Sequence, residues 1–203
     1  MNPNSPTNLR WDAFTLLELL GVIAIIAILV SLSIPAFNTI SRGNSLSFSA
    51  QSVGDGLILA RQEASSRNRR AEIRFIKLPS RASSLNAFQG LQVWLADDQG
   101  NMKAFGRTIL LATDVVILGS IDRSPLLNAT GTISTGTMNV SGENASYSAL
   151  PLLASGNLEE GKIPAQSSYF TIALERDAIS GNLANFAAIY INRSTAQVRI
   201  LRP

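Results

Sequence analysis

A nearly continuous apolar run occupies residues 14–37, and Glu18 is the only ionisable side chain within it. Residues 19–34 carry no charge at all. A helix that crosses a bilayer needs about 20 predominantly apolar residues. The pattern therefore predicts a helix that is long enough to span a membrane, between a short polar leader at residues 1–13 and a mostly polar remainder.

A second apolar pattern, with helical spacing, follows this run. Its members recur at alternating intervals of four and three residues: Leu46, Ala50, Val53, Leu57, Ala60 and Ala64. This spacing places them on one face of an amphipathic helix, which we expect to pack on the chain's own β domain rather than on a partner. Gly54 and Gly56 either weaken this helix locally or permit close packing of a sheet.

We predict one long helix from residue 14 to about Arg67. Its first half, residues 14–37, is the apolar one, and residues 38–70 form the amphipathic half. Pro35 has no backbone N–H to donate, so we expect it to kink or loosen the helix.

Beyond residue 70 the apolar period changes to two, which is typical of half-buried strands. Strands are predicted at 71–75, 91–95, 107–111, 115–118, 169–175, 186–191 and 197–201, with a hairpin turn at 97–101. Residues 128–148 are rich in Gly, Ser, Thr and Asn and are interpreted as a loop or a weak hairpin. A long helix followed only by antiparallel strands predicts an α+β fold with the β domain at residues 71–203.

The composition excludes several kinds of chemistry. The chain of 203 residues has no cysteine and no histidine. Disulfides, thiol nucleophiles, histidine general bases and ordinary zinc sites are therefore excluded. The net charge of +3, from 17 Lys and Arg against 14 Asp and Glu, does not by itself predict nucleic-acid binding. We expect neither enzyme activity nor a cofactor.

Acidic side chains were the remaining candidates for metal binding or acid–base catalysis. Asp97 and Asp98 are adjacent, but calcium takes about six to eight oxygen ligands and a five-residue turn supplies few. A solvated hairpin is the favoured interpretation there, and no metal site is predicted. The spacing of the other acids does not predict that they converge on one site. These acids are Asp114, Asp122, Glu159, Glu160 and Glu175.

Three interpretations of the apolar run compete. A secretory signal peptide has a basic leader and an apolar core of about 7–15 residues, whereas here the core is longer and Asp12 balances Arg10. A plain membrane anchor explains the length but not Glu18, because a carboxylate near the centre of a membrane helix costs about 2.5–3.5 kcal/mol. The third interpretation explains the acid.

The start of the run resembles the prepilin signal of type IV pilins and type II secretion pseudopilins. In those proteins a small residue, usually Gly, precedes Phe-Thr-Leu-x-Glu and an apolar helix; here the sequence is Ala13-Phe14-Thr15-Leu16-Leu17-Glu18. The resemblance implies that prepilin peptidase cuts between Ala13 and Phe14 and that the new amine of Phe14 is methylated. It also implies that Glu18 pairs with that amine in a neighbouring subunit. Pro35 matches a family position, whereas Ala13 departs from the usual Gly.

The same resemblance implies a pilin-like fold, with a partly transmembrane helix packed on a C-terminal antiparallel β domain. The expected location is the bacterial cytoplasmic (inner) membrane, crossed once. The N-terminus would be cytoplasmic and the C-terminal domain periplasmic or otherwise extracytoplasmic. The expected partners are prepilin peptidase, other pilin or pseudopilin subunits and the membrane.

Two further segments narrow the resemblance to H-type (GspH/FimT-like) minor pseudopilins. Residues 59–68 are similar to their Ala-Arg-x-Glu-Ala helix end. Residues 196–203 are similar to their terminal Gly-Arg-Val-Arg strand, with Ala196 and Gln197 in place of Gly and Arg. Arg74-Phe75 and the Arg-Pro ending are most similar to the prepilin-like Verru_Chthon cassette protein D group. Residues 120–168 have no assigned counterpart.

The resemblance also implies a less favoured function. In FimT-like minor pilins the C-terminal basic strand is linked to DNA capture, and Arg193, Arg199 and Arg202 are the corresponding candidates for phosphate contact. Gln197 replaces the first Arg, and no aromatic platform for stacking bases is evident. Ordinary solvated charges are the favoured interpretation. A bitopic membrane-anchored domain without assembly is the third alternative.

Overall fold

The structure, a computed structural model, describes residues 15–128, 133–158 and 168–202, without the side chains at 32–40. The chain divides into two units, Met1–Ser41 and Arg42–Pro203. The predicted cleavage site lies outside the described residues.

Helix α1 comprises Leu16–Arg67, and residue 35 within it is helical like its neighbours. Its C-terminus is closed by Asn68, which adopts a left-handed conformation with φ of 50°. The N–H of Arg69 donates to the carbonyl of Ala64 at 3.0 Å, and the N–H of Asn68 donates to the carbonyl of Ser65 at 3.3 Å. This pair of bonds is a Schellman motif. The predicted helix end at Arg67 is confirmed, and the kink at Pro35 stays a prediction.

The C-terminal unit contains two antiparallel five-stranded sheets. The strands are β1 Ala71–Lys77, β2 Ala87–Phe88, β3 Gly90–Ala96, β4 Met102–Leu110, β5 Val115–Leu118, β6 Ser134–Val140, β7 Glu143–Leu152, β8 Tyr169–Leu174, β9 Phe186–Ile191 and β10 Val198–Leu201. Sheet A has the order β4-β3-β1-β7-β6, and sheet B has the order β10-β9-β8-β5-β2. A short helix, α2 (Glu175–Ser180), follows β8. The α+β class and the antiparallel β domain are confirmed.

The structure decides between two interpretations and corrects one prediction. Within residues 128–148 the hairpin, not the loop, is confirmed for the described part, because β6 and β7 pair regularly from Ser134↔Ala149 to Val140↔Glu143. Alternate positions of the hairpin, such as Met138 and Ala145, are buried in a small cluster with Ile76 and Leu78, separate from the main core. The polar residues between them obscured the strand pattern in the sequence. The prediction that only strands follow the long helix is wrong, because α2 is helical. At six residues, α2 is too short to display a helical period.

The amphipathic half of α1 supplies the centre of the core. All six residues of the predicted stripe are at most 3% exposed. They belong to one hydrophobic cluster with side chains of both sheets, including Leu91 of β3 and Ile189 of β9. The predicted packing of this helix face on the chain's own β domain is confirmed.

Two glycines bring α1 close to both sheets. A Cβ built on Gly54 would lie 3.2 Å from Cδ1 of Ile200 in β10. A Cβ built on Gly56 would lie 2.9 Å from Cδ1 of Leu91 and 3.1 Å from Cδ1 of Ile109, in β3 and β4. Of the two interpretations of these glycines, close packing of a sheet is confirmed.

A larger side chain at Gly56 should destabilise the domain. We expect Gly56→Val to lower the free energy of unfolding by roughly 1–3 kcal/mol, because added methyl groups overpack a filled core. Gly43→Val is the matched control, since nothing lies within 4 Å of a Cβ built at Gly43. Its effect should stay within about 0.5 kcal/mol. Urea denaturation of the full chain in detergent measures both, and equal effects would contradict the packing.

Candidate functional site

The start of α1 is capped by Thr15. The N–H of Glu18 donates to Oγ1 of Thr15 at 3.2 Å, and the N–H of Leu19 donates to the Thr15 carbonyl at 3.1 Å. Thr15 and Glu18 occupy the two positions of a capping box, and an acid in the first turn also favours the helix dipole. This structural role for Glu18 was missed, although Thr-x-x-Glu before an apolar run is its sequence signal.

The structure does not describe the other residues that the sequence predicts to take part in processing and assembly. Ala13 and Phe14 lie outside the described residues, as does the side chain of Pro35. Cleavage, methylation of Phe14 and the pairing of its amine with Glu18 therefore stay predictions.

An apolar surface runs along the first half of α1, on both sides of Glu18 in the sequence. Its large side chains are between 46% and 82% exposed: Leu16, Leu17, Leu19, Leu20, Val22, Ile23, Ile25, Ile26, Ile28, Leu29 and Val30. Contiguous exposed apolar surface marks a site of contact with protein or membrane. Among the residues that the structure describes, no helix meets the length and hydropathy criteria for a membrane span.

The three C-terminal arginines do not form one cluster. Arg199 is exposed on β10, an edge strand of sheet B. Arg202 donates from Nη1 to Oγ of Ser47 on α1 at 2.6 Å. Arg193 precedes β10, beyond the opposite end of that strand from Arg202. Arg199 is thus the member placed on the open face of the sheet.

Two tyrosines share a row with Arg199 across sheet B. Arg199 is opposite Tyr190, and Tyr190 is opposite Tyr169. Because side chains alternate along strands, the row faces away from the buried Ile189 and Phe170. Both tyrosines are partly exposed. The row itself was not evident from the sequence, because each tyrosine lies in a predicted strand but the pairing of β8 with β9 could not be read there.

A cavity of about 330 Å³ lies where β8 ends. It is lined by Arg42, Asp114, Leu174, Glu175, Arg176 and Ile179. The N–H of Glu175 donates to the carbonyl of Asp114 at 2.9 Å, so two of the acids considered above do come together. Glu159 and Glu160 lie outside the described residues. Within the described ranges, no group of three or more acidic side chains is placed to hold a metal ion.

Asp97 organises the hairpin turn between β3 and β4. Its Oδ1 accepts hydrogen bonds from the N–H groups of Gln99 and Asn101, both at 2.9 Å. Its Oδ2 lies 3.1 Å from Nζ of Lys103. The hydrogen bond from Lys103, followed by those from the backbone, lowers the pKa of Asp97 below its ordinary value. Asp98 pairs with Arg69. The predicted hairpin turn is confirmed. Protein donors bind both carboxylate oxygens of Asp97 and one oxygen of Asp98.

Comparison with known proteins identifies no relative. No protein-family model, no curated protein and no solved structure matches the chain. The resemblance to pseudopilins therefore rests on the motifs of the sequence, and the function that it implies is a proposal.

Proposed function

We propose that this chain is a minor pseudopilin-like structural subunit. In this proposal prepilin peptidase cuts between Ala13 and Phe14, and the N-terminal helix assembles with other subunits into a type II secretion or type IV pilus-like filament. The observation that carries the proposal is the order of features along α1. An acid stands at the head of an exposed apolar surface, and the same helix then enters the core of an antiparallel β domain.

The exposed apolar surface supports a non-aqueous location for the first half of α1. Apolar surface left in water costs about 25 cal/mol for each Å², and the side chains from Leu16 to Val30 are at least 46% exposed. We propose that they lie in the cytoplasmic membrane before assembly and among the helices of other subunits afterwards. The β domain then faces away from the cytoplasm, where it makes the contacts specific to this subunit.

Glu18 supports assembly rather than anchoring alone. A carboxylate among apolar side chains is costly unless it is paired, and a simple anchor has no use for it. In the proposed filament the amine of a neighbouring Phe14 neutralises Glu18. The competing explanation is the position of Glu18 in the first turn of α1, where an acid favours the helix dipole without any neighbour.

Replacing Glu18 and Thr15 separately distinguishes the two explanations. We expect Glu18→Val to abolish co-purification of other filament subunits with the tagged full-length chain from its native membrane, because it removes the charge that pairs with the neighbouring amine. Thr15→Val is the matched control: it loses the capping oxygen, which costs the helix start about 1 kcal/mol, but it should still co-purify.

Two results would reject this role for Glu18. If Glu18→Val co-purifies as the unaltered chain does, the protein is a bitopic anchored domain or assembles by another route. If Thr15→Val fails to the same degree, damage to the start of the helix rather than loss of the Glu18 charge explains the defect.

One observation favours nucleic acid as a second candidate partner. The row of Arg199, Tyr190 and Tyr169 combines a cation with two aromatic rings on one face of sheet B. Stacking of a base on an aromatic side chain contributes about 1–3 kcal/mol, and an arginine beside the rings is placed for a phosphate contact. We propose single-stranded DNA as the ligand of this face, subordinate to the structural role.

A gel-shift assay tests this second function. We expect the full chain in detergent to shift single-stranded DNA at low salt and to lose the shift as salt rises. Tyr190→Leu and Arg199→Gln should each weaken the shift. Arg107→Gln is the control, since Arg107 is exposed on β4 of the other sheet. No shift at low salt, or equal weakening by the control, contradicts DNA binding at this face.

A further inference from the structure

One end of sheet B, here called the proximal end, lies beside the first residues of α1 in the C-terminal unit. Strand register defines this end, because Val115 of β5 is opposite Leu174 of β8 and Leu201 of β10 is opposite Ala188 near the start of β9. Arg42 of α1 lines the cavity at the end of β8. Ser47 binds Arg202, just beyond β10. The part of α1 that belongs to the C-terminal unit therefore begins at the proximal end of sheet B.

Large apolar side chains are exposed at the proximal end. Phe48 is 75% exposed, Ile179 is 56% exposed and Leu201 is 55% exposed. Phe48 belongs to α1 and lines a groove with Ile200 and Arg202, whereas Ile179 belongs to α2 and lines the cavity. Since they come from three separate elements, local helix or strand periodicity does not explain their shared location.

The charged groups at this end are mixed in sign. Arg42, Arg176 and Arg202 are interspersed with the apolar side chains, and Arg176 lies 3.3 Å from Asp177. Asp114 and Glu175 line the same cavity. The mixture does not favour a strongly anionic ligand. Apolar side chains set among charged ones of both signs instead match a surface that enters the boundary between lipid headgroups and acyl chains.

The length of chain between the apolar run and Arg42 limits how far the proximal end can lie from an inserted run. Only residues 38–41 separate the apolar run from Arg42. Five steps along the backbone span at most about 18 Å, whatever path they take. The headgroup layer on each side of a bilayer is roughly 5–8 Å thick. Once the run is inserted, Arg42 lies at most about 18 Å from the end of the run, so the proximal end is within reach of that layer.

We infer that the proximal end of the β domain docks on the lipid headgroup layer, with Phe48, Ile179 and Leu201 in the interface. The inference rests on the proposed function, because it requires insertion of the apolar run. Docking would hold the domain at the membrane before assembly, and the same apolar side chains would leave the lipid when the subunit is extracted.

Spin labelling of the full chain in vesicles tests the docking. The chain contains no cysteine, so Ile179→Cys introduces a single site for a nitroxide label. Ile121→Cys is the matched control: Ile121 is 64% exposed and follows the other end of β5. Each labelled protein is diluted with unlabelled protein in phosphatidylcholine vesicles, with and without phosphatidylglycerol. Collisions with oxygen and with a water-soluble nickel chelate report the depth of the label.

We expect the label at position 179 to collide severalfold less with the nickel chelate, and more with oxygen, than the label at position 121. Full chelate access at both positions, in protein that floats with the vesicles, overturns the docking but leaves the proposed membrane insertion intact. Protein that does not float with the vesicles overturns both. A third result is that the label at position 179 loses chelate collisions without gaining oxygen collisions, to an extent that depends on the protein-to-lipid ratio. That result would assign the surface to contact with a second copy and would also overturn lipid docking.

Discussion

The burial of one helix face between two sheets is the interaction on which the rest of the structure depends. Leu46, Val53 and Leu57 lie in the same cluster as side chains of both sheets, and a fully buried Leu or Val contributes about 1.5–3 kcal/mol. Gly54 and Gly56 allow the helix to approach closely enough for this burial. The two sheets would otherwise expose apolar inner faces, so the second half of α1 is an integral part of the β domain.

This burial restricts what the first half of α1 can do. Residues from Arg42 onward are committed to the C-terminal unit, and the residues before them have no counterpart of the buried stripe among their described side chains. A helix with one half in a core and an exposed apolar half needs a second apolar environment. The proposed membrane and filament supply it in turn, and in that proposal Glu18 pairs with the amine of a neighbouring subunit. The second half of α1 thus stabilises the fold, and the first half carries the proposed function.

The sequence predicted those elements whose signal is local. The stripe from Leu46 to Ala64 and the helix end at Arg67 follow from side-chain spacing, and β5 and β9 follow from short runs of apolar residues between turns. Features that depend on pairing between distant segments were out of reach. The row of Tyr169, Tyr190 and Arg199 exists only because β8, β9 and β10 are neighbours in register. The hairpin of β6 and β7 was obscured because small polar residues alternate with its buried ones. The exposed Ile179 belongs to a helix too short to recognise.

The central claim is that α1 begins as a processed assembly helix, and the mature N-terminus tests it most directly. Mass spectrometry of the protein isolated from its native membrane should find a chain that begins at Phe14 and carries one added methyl group on its amine. An intact Met1, or a cut near Ala36 such as a secretory signal peptidase would make, would contradict the account.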